Sequence, residues 1–497
     1  MATNPRDAIL WPRTRKKMEI PSMSRQKRLC SIACLLLFVA ALSRYWIYDR
    51  TESVPHDPES FRLAWTLAEK GQFANPFAAL DTGPSAHMGP VFPANVALLI
   101  RVFGGGTSGA YAIKFAATLL LAAHLALFPL FSRALGMGEL NGVIAACVWI
   151  AAKVGIAATI NHQPTTMFGW ESFYVALPLA IAICGFRRYL DSSPNGSTRL
   201  AWWIGCTMGI AILTSPTVAT IFVGFLALLL WKDKRPVFQK ANWLLIVLPA
   251  VIVTPWIIRN FVVFDRLILV RDNLGLELSI SNNDCAKFGI AQNLESGCFA
   301  KLHPNVNMDE ARKVLDYGEP KYNDLKIREA LSWITSHPAR FFRLCALRVA
   351  AFWMPPATGG PYSLRGPGRR LERIGIYLVT PLSVAGLLML YRRDRLSASL
   401  CLICLALFPV VYYTVQYEWR YRYPILWVTF LLGCLPITSV AQWIYLAVSS
   451  KLKISTMTAA GTKAARPNSP IVGEPEVIRF QSNGLPPFFT CPHWLIS

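Results

Sequence analysis

"LCSIACLLLFVAALSRYW", residues 29–46, decides what kind of molecule this is. It is apolar up to Arg44 and follows a segment carrying Arg6, Arg13, Arg15, Lys16, Lys17, Arg25, Lys27 and Arg28. A hydrocarbon core needs about 20 apolar residues of helix to cross it, and a basic flank stays on the cytoplasmic side. The stretch therefore reads as a first crossing that leaves residues 1–28 in the cytoplasm. No small-x-small cleavage site with a soluble domain behind it follows, so the segment is expected to remain as an anchor.

Apolar blocks recur along the 497 residues at 109–130, 141–155, 171–186, 200–214, 216–231, 243–259, 373–391, 399–415 and 423–446. The expected fold is an all-α polytopic membrane protein with roughly 10 crossings, within about 8 to 13. The connectors "RRYLDSSPNGSTR", "WKDKRPVFQK" and "YRRDR", with Lys451 and Lys453, then fall on the cytoplasmic side. The formal charge of +22 is explained by such connectors, and nucleic-acid binding is set aside. The membrane-embedded domain is expected over 29–446, with a disordered cytoplasmic tail over 447–497 that is rich in Pro, Ser, Thr and Gly. The glycosylation-like "NGS" at Asn195 lies in a cytoplasmic connector and is discounted.

Two large external segments are expected, at about 47–108 and 260–372. Each contains an apolar stretch that fits poorly as a simple span. "VFPANVALLIRVFGGG" is short and begins near prolines, and "ARFFRLCALRVAAFWMPP" carries Arg340, Arg343 and Arg348. Both read as interfacial amphipathic helices with basic groups near headgroup phosphates. For the second, an ordinary span with snorkelling arginines is the alternative. Most cysteines lie in apolar blocks as small hydrophobes. Cys285 and Cys298 instead share a polar external loop, where an oxidising compartment permits a disulfide.

The first external segment opens with "VPHDPESFRLAW", residues 54–65. Its carboxylates, Asp57 and Glu59, sit where bilayer meets water. Partial burial there can raise a carboxyl pKa and suit it to general-base work. The alternative is that either acid caps a helix starting near Ser60. Metal-ligand spacing is missing around His56, Asp57 and His162, so no metal is expected.

Further motifs follow in order: "ANPFAALDTGPSAHMGPVFPANVALLIRVFG" at 74–104, "TPWIIRNFVVFDRLILVRDNLGLEL" at 254–278 and "WRYRYP" at 419–424. With the early acid, this order resembles the polytopic GT-C glycosyltransferases, in particular family 39 relatives of protein O-mannosyltransferases and aminoarabinose transferases. The resemblance covers 29–446. It implies transfer of a sugar from a polyprenyl-phosphate carrier to a glycan, lipid or protein acceptor on the periplasmic or lumenal face. It implies no cofactor beyond that donor, and residence in a bacterial inner membrane with both termini cytoplasmic. Asp57 takes the position of the catalytic acid. Relatives often have an adjacent Asp-Glu pair where this chain has Asp57-Pro58-Glu59, so Glu59 is kept beside it.

Departure of the lipid phosphate calls for cations, and the arginine fork suits phosphate oxygens. Arg62, Arg259, Arg271, Arg420 and Arg422 are the candidates, each with membrane or headgroup anchoring as its alternative. Glu171 and His87 are further candidates for holding acceptor, sugar or phosphate, with a helix-start and a structural role as their respective alternatives. The rival class, a transporter or lipid flippase, usually buries acids at the bilayer midplane. The expected spans carry no acid away from their ends, with Lys114, His124 and Lys153 the titratable exceptions. A non-catalytic assembly protein is the third reading.

Overall fold

The computed structural model describes residues 23–47, 53–56, 58–152, 154, 159–160, 163–164, 171–192, 198–232, 240–356 and 367–464. Asp57, Lys153, His162 and Asn195 lie outside them. Helices dominate; Thr159–Ile160 and Gln163–Pro164 pair as two short antiparallel strands.

The protein is a multi-pass membrane protein. Among the described residues, seven helical segments are long and apolar enough to cross a bilayer: Lys27–Trp46, Thr107–Ala126, Ser172–Asp191, Ala241–Phe264, Arg370–Arg393, Arg395–Thr414 and Trp419–Ser449. The other three expected spans coincide with shorter apolar helices, Glu139–Ala151, Thr198–Thr214 and Val218–Lys232. Every expected crossing thus falls on helical chain, while length and composition together qualify seven among the described residues. Large apolar side chains such as Leu36, Val251 and Leu378 are exposed, as lipid-facing positions must be. Trp202, Trp203, Trp231 and Trp243 are also exposed and lie where three consecutive helices start or end, the placement of an interfacial aromatic belt.

Helices in lipid gain little from apolar burial and approach closely through small residues. Gly386 shows this: a Cβ there would stand 1.9 Å from the Leu432 carbonyl oxygen of the last helix. At one end of the bundle, Asp394 caps the helix Arg395–Leu407 by accepting from the amides of Leu396 and Ser397, and it also accepts from Arg187 at 2.8 Å. The last helix runs Tyr423–Ala464, past the expected end at 446, and from Ala441 its residues belong to a second compact unit.

In the first of the two segments expected to be external, the described residues form two helices, Glu59–Lys70 and Val91–Phe103, joined by an irregular loop. Phe61, Phe92, Val96 and Ile100 bury a shared apolar face with Ile113 of the following span. The second segment is built from Leu274–Ser281, Ile290–Glu295, Cys298–Leu302, Met308–Tyr317, Glu319–Ser336 and Pro338–Trp353. Its own core gathers Leu276, Ile280, Phe299, Val314 and Tyr322, and Phe77 of the first segment inserts into it.

The expected placement of basic groups near headgroups fails for Arg348. Its guanidinium is fully buried and donates to the Asn282 side chain and to the Thr414 and Ser281 carbonyls, so it fastens the second segment to the helices. Arg340 donates to the Asp284 carbonyl at 2.6 Å. Cys285 and Cys298 form a disulfide that closes the loop between Leu274–Ser281 and Cys298–Leu302.

A bridge over so short a loop removes about 3 kcal/mol of unfolded-state entropy. The variant with both cysteines changed to Ser is therefore expected to melt several degrees below the wild type while still folding. Peptide mapping without reductant should recover the linked peptides. Free alkylation of both thiols in the untreated protein would refute the bridge.

Candidate active site

The site forms where both external segments meet the ends of the helices. Pro58 precedes the helix Glu59–Lys70, and no side chain caps that helix. The Glu59 carboxylate turns away from capping and lies 3.3 Å from His87 Nε2 on one oxygen and 3.3 Å from His303 Nε2 on the other. The capping alternative thus does not describe Glu59.

His87 is positioned by the loop between the two helices of the first segment. Asn75, at a positive φ of 58° that asparagine tolerates, accepts from the Gly83 amide with its side chain, and Ser85 donates its amide to the Phe73 carbonyl. The chain is thereby folded back on itself, and His87 is almost wholly buried. His303 comes from the second segment, where its ring stacks on Phe299 at 4.3 Å. Its Nδ1 accepts from the Asn305 amide at 3.0 Å. The proton of the neutral ring therefore sits on Nε2, facing Glu59.

Burial raises the Glu59 carboxyl, but the charge and hydrogen bond of His87, with His303 and Arg420 behind them, outweigh it and hold the pKa down at about 2. This reverses the expectation of a carboxyl raised toward neutrality. Burial alone would lower His87, yet Glu59 raises it above the ordinary imidazole value. Burial pushes His303 down to about 4, so that ring stays neutral at neutral pH.

Five further charged side chains enter from other elements. Arg271 Nη1 stands 3.5 Å from Glu171, which precedes the helix Ser172–Asp191. Glu277 lies in the first turn of Leu274–Ser281. That helix is pressed against Glu319–Ser336 at Gly275, where a Cβ would come within 2.1 Å of the Asn323 carbonyl oxygen. Arg420 Nε donates to Glu418 at 2.5 Å. Tyr417 ties this strip to the second segment, its amide donating to the Phe288 carbonyl and its carbonyl accepting from Ile290.

Burial, then repulsion from Glu59, raises the Glu277 pKa. Glu418 is raised chiefly by burial, partly offset by Arg420. Oε2 of Glu277 and Nε of Arg271 are buried without a hydrogen-bond partner among the described residues. A small cavity of about 20 Å³ is lined by Glu171, Ser172, Ser215, Tyr412, Arg420 and Tyr421, among others. Among the described residues no group of three His, Cys, Asp or Glu side chains is arranged to hold a metal ion.

The structure therefore brings Glu59, His87, Glu171, Arg271 and Arg420 into one cluster. Arg62 pairs with Asp81 at 3.0 Å and lines a separate outer groove with His56 and Trp65. Arg259 spends its donors on the Ser85 and Phe73 carbonyls and the Asn260 side chain. Arg422 donates to the Trp353 carbonyl and to Thr380 and Thr429, with Trp353 under its guanidinium. His303, Glu277 and Glu418 were not among the residues expected from the sequence. Glu277 lies inside the motif at 254–278 and Glu418 immediately precedes the one at 419–424, so adjacency to those motifs was the available signal.

No protein-family model matches the chain, and the curated proteins yield no match. Among solved structures, the Archaeoglobus fulgidus oligosaccharyltransferase AglB in complex with an inhibitory peptide and a dolichol-phosphate superposes with a TM-score of 0.52 at 13% identity, over 86% of this chain and 52% of that one. Its apo form gives 0.52 at 14% identity, again over 86% and 52%. ArnT from Cupriavidus metallidurans bound to undecaprenyl phosphate gives 0.33 at 14% identity, over 84% of this chain and 78% of that one, a fit too loose to argue from. The chain spans about half the length of the oligosaccharyltransferase it matches. At these identities the likeness shows the fold, and that fold is the polytopic GT-C type expected from the order of motifs.

Proposed function

We propose that the chain is an integral-membrane glycosyltransferase that moves a sugar from a polyprenyl-phosphate carrier to an acceptor on the periplasmic or lumenal face. The observation that carries the reading is the Glu59 carboxylate held by two imidazoles, one from each external segment, in a cluster with Arg271 and Arg420. The matched fold supports it, since the oligosaccharyltransferase was solved with a dolichol-phosphate. A bacterial inner membrane with both termini cytoplasmic belongs to the same proposal.

Transfer requires attack of an acceptor hydroxyl or amine on the anomeric carbon as the bond from that carbon to the phosphate oxygen breaks. The electron pair leaves with the polyprenyl phosphate, whose charge Arg271 and Arg420 meet. Asp57 and Glu59 are the carboxylates assigned to the acceptor proton. Glu59, held ionised, is a weak base. It suffices because an attacking hydroxyl becomes strongly acidic as its bond to carbon forms, so the proton moves late. The unpartnered oxygen of Glu277 can accept from a sugar hydroxyl, a donor that a phosphate does not offer. Glu171 orients Arg271. The donor lipid is a substrate, and no step is assigned to a metal ion.

Purified protein supplied with synthetic polyprenyl phosphate sugars and a labelled donor tests this directly. Glu59→Gln is expected to lower kcat by about 10² or more with carrier binding retained, and Asp57→Asn run beside it assigns the base. Arg271→Gln and Arg420→Gln should weaken carrier binding and slow departure of the phosphate. Carrier binding without transfer, across donors and acceptors, would sink the transferase reading and favour a transporter.

The ion pair also has a pH signature. Glu59 is depressed below its ordinary 4.5, so its contribution to stability is present above that value and is lost as pH falls toward about 2. His87 is raised above its ordinary 6.5, so its contribution is full below 6.5 and is lost as pH rises through the raised value. The stability difference between wild type and Glu59→Gln is therefore expected to be largest between these limits, near pH ~5.5, and to shrink in alkaline buffer. A difference that grows steadily with pH in thermal melts would contradict the pairing.

A further inference from the structure

We propose that Glu319 is a positioning residue: from the second external segment it clamps the Ser85–Ala86–His87 tripeptide of the first, and so sets His87 against Glu59. The consequence for catalysis rests on the transferase reading; the clamp itself does not.

Glu319 stands at the start of the helix Glu319–Ser336 and is almost wholly buried. One carboxylate oxygen accepts from the Ser85 hydroxyl at 2.6 Å, and the other accepts from the Ala86 amide at 2.6 Å. The Ser85 oxygen in turn accepts from the His87 amide at 2.9 Å. A single carboxylate therefore reaches all three residues of the tripeptide, two directly and His87 through Ser85. The same tripeptide is held from two other directions. Arg259 donates to the Ser85 carbonyl at 2.7 Å, and the Asp272 amide donates to the Ala86 carbonyl at 2.8 Å. The amides of Ser85, Ala86 and His87 and the carbonyls of Ser85 and Ala86 are thus all engaged.

The chemistry at Glu319 is specific to a carboxylate. Both of its partners are donors, and the Ser85 oxygen already accepts from His87. An ionised carboxyl satisfies both donors at once. A carboxamide keeps an acceptor for Ala86 but turns an N–H₂ toward the Ser85 oxygen, leaving the hydroxyl proton to seek another acceptor. Burial pushes Glu319 up to about 7, with Asp272 adding to the rise and His87, the Ser85 hydroxyl and the Ala86 amide opposing it. Arg259 also faces the carboxyl. The ionised form, which grips both donors, is populated from neutral pH upward.

His87 is the correct reporter because its ring makes the ion pair, its main chain makes the clamp, and Glu319 touches neither Glu59 nor the reacting groups. Loss of the clamp leaves the ring attached to a tripeptide with fewer fixed contacts. Its access to solvent reagents should rise even where the global fold survives.

The test measures the rate at which diethyl pyrocarbonate modifies His87 in purified full-length protein, read by peptide mass spectrometry, with exposed His337 as the internal reference. In Glu319→Gln the ratio of His87 to His337 modification is expected to rise about threefold or more. Ser85→Ala, which removes the hydroxyl and spares the Ala86 contact, should give a smaller rise in the same direction. In transfer assays Glu319→Gln is expected to lower kcat about 10- to 100-fold with KM for the carrier unchanged, as a displaced catalytic group would. An unchanged modification ratio in both variants overturns the clamp, even if Glu319→Gln melts earlier. If wild-type protein transfers no sugar while the ratio still rises, the clamp stands and the transferase reading falls.

Discussion

The junction between the two external segments is the constraint on which the site depends. Phe77 crosses from the first segment into the apolar core of the second, among Leu276, Ile280, Phe299 and Tyr322. Burying a phenylalanine is worth about 2 to 3 kcal/mol, and it carries no direction. Direction comes from the polar contacts around it: the Ala78 amide donates to Asn305, and Glu319 accepts from Ser85 and Ala86. The apolar contact brings the segments together, and the hydrogen bonds fix their register. Only in that register can His87 and His303 address opposite oxygens of one carboxylate.

The helices supply the remaining charges by ending at the same place. Glu171 precedes one span, Glu418 and Arg420 begin another, and Arg271 follows a third. At the opposite end of the bundle a separate network joins Arg187, Asp191 and Asp394. Charges at both ends and apolar residues between are what a bilayer imposes. Alternating passage through it carries residues distant in sequence to a common face. The "PWIIRN" motif serves that geometry: Arg259 hooks the first segment by two carbonyls, Trp256 donates to the Val270 carbonyl and Asn260 to that of Ile268.

The membrane-crossing class was legible because hydrophobic length is a one-dimensional property; seven of the expected spans coincide with helical segments long and apolar enough to cross a bilayer. Glu59, His87, Glu171, Arg271 and Arg420 were legible as charged groups at membrane mouths. Their division of labour was not. Nothing in the spacing of Arg259 distinguishes a guanidinium spent on backbone carbonyls from one facing a cavity, because that depends on which chain passes nearby. His303 was invisible for the same reason, since it lies in a polar stretch without periodicity and reaches Glu59 only after two segments have docked. The sign of the Glu59 shift failed likewise: burial is readable from position, but the imidazoles that outweigh it are tertiary neighbours.

The energetics of the cluster argue that it is there to act on something. A buried carboxylate with an unsatisfied oxygen costs stability, and Glu277 has one; Glu418 is buried and raised, in a group that already contains Glu59 and Glu171. Apolar residues of similar volume in those places would often hold the helices at least as well. The network around Glu310 shows the contrast. There Lys313, Lys326 and the Tyr322 hydroxyl all converge on one carboxylate, whose pKa is lowered below the ordinary carboxylate value despite burial. That is how this chain builds an ion cluster for structure. Beside Glu59, Oε2 of Glu277, Nε of Arg271 and Nδ1 of His87 have no hydrogen-bond partner among the described residues, and under the proposed transferase function a sugar joined to a phosphate would offer both a hydroxyl and an anion to them.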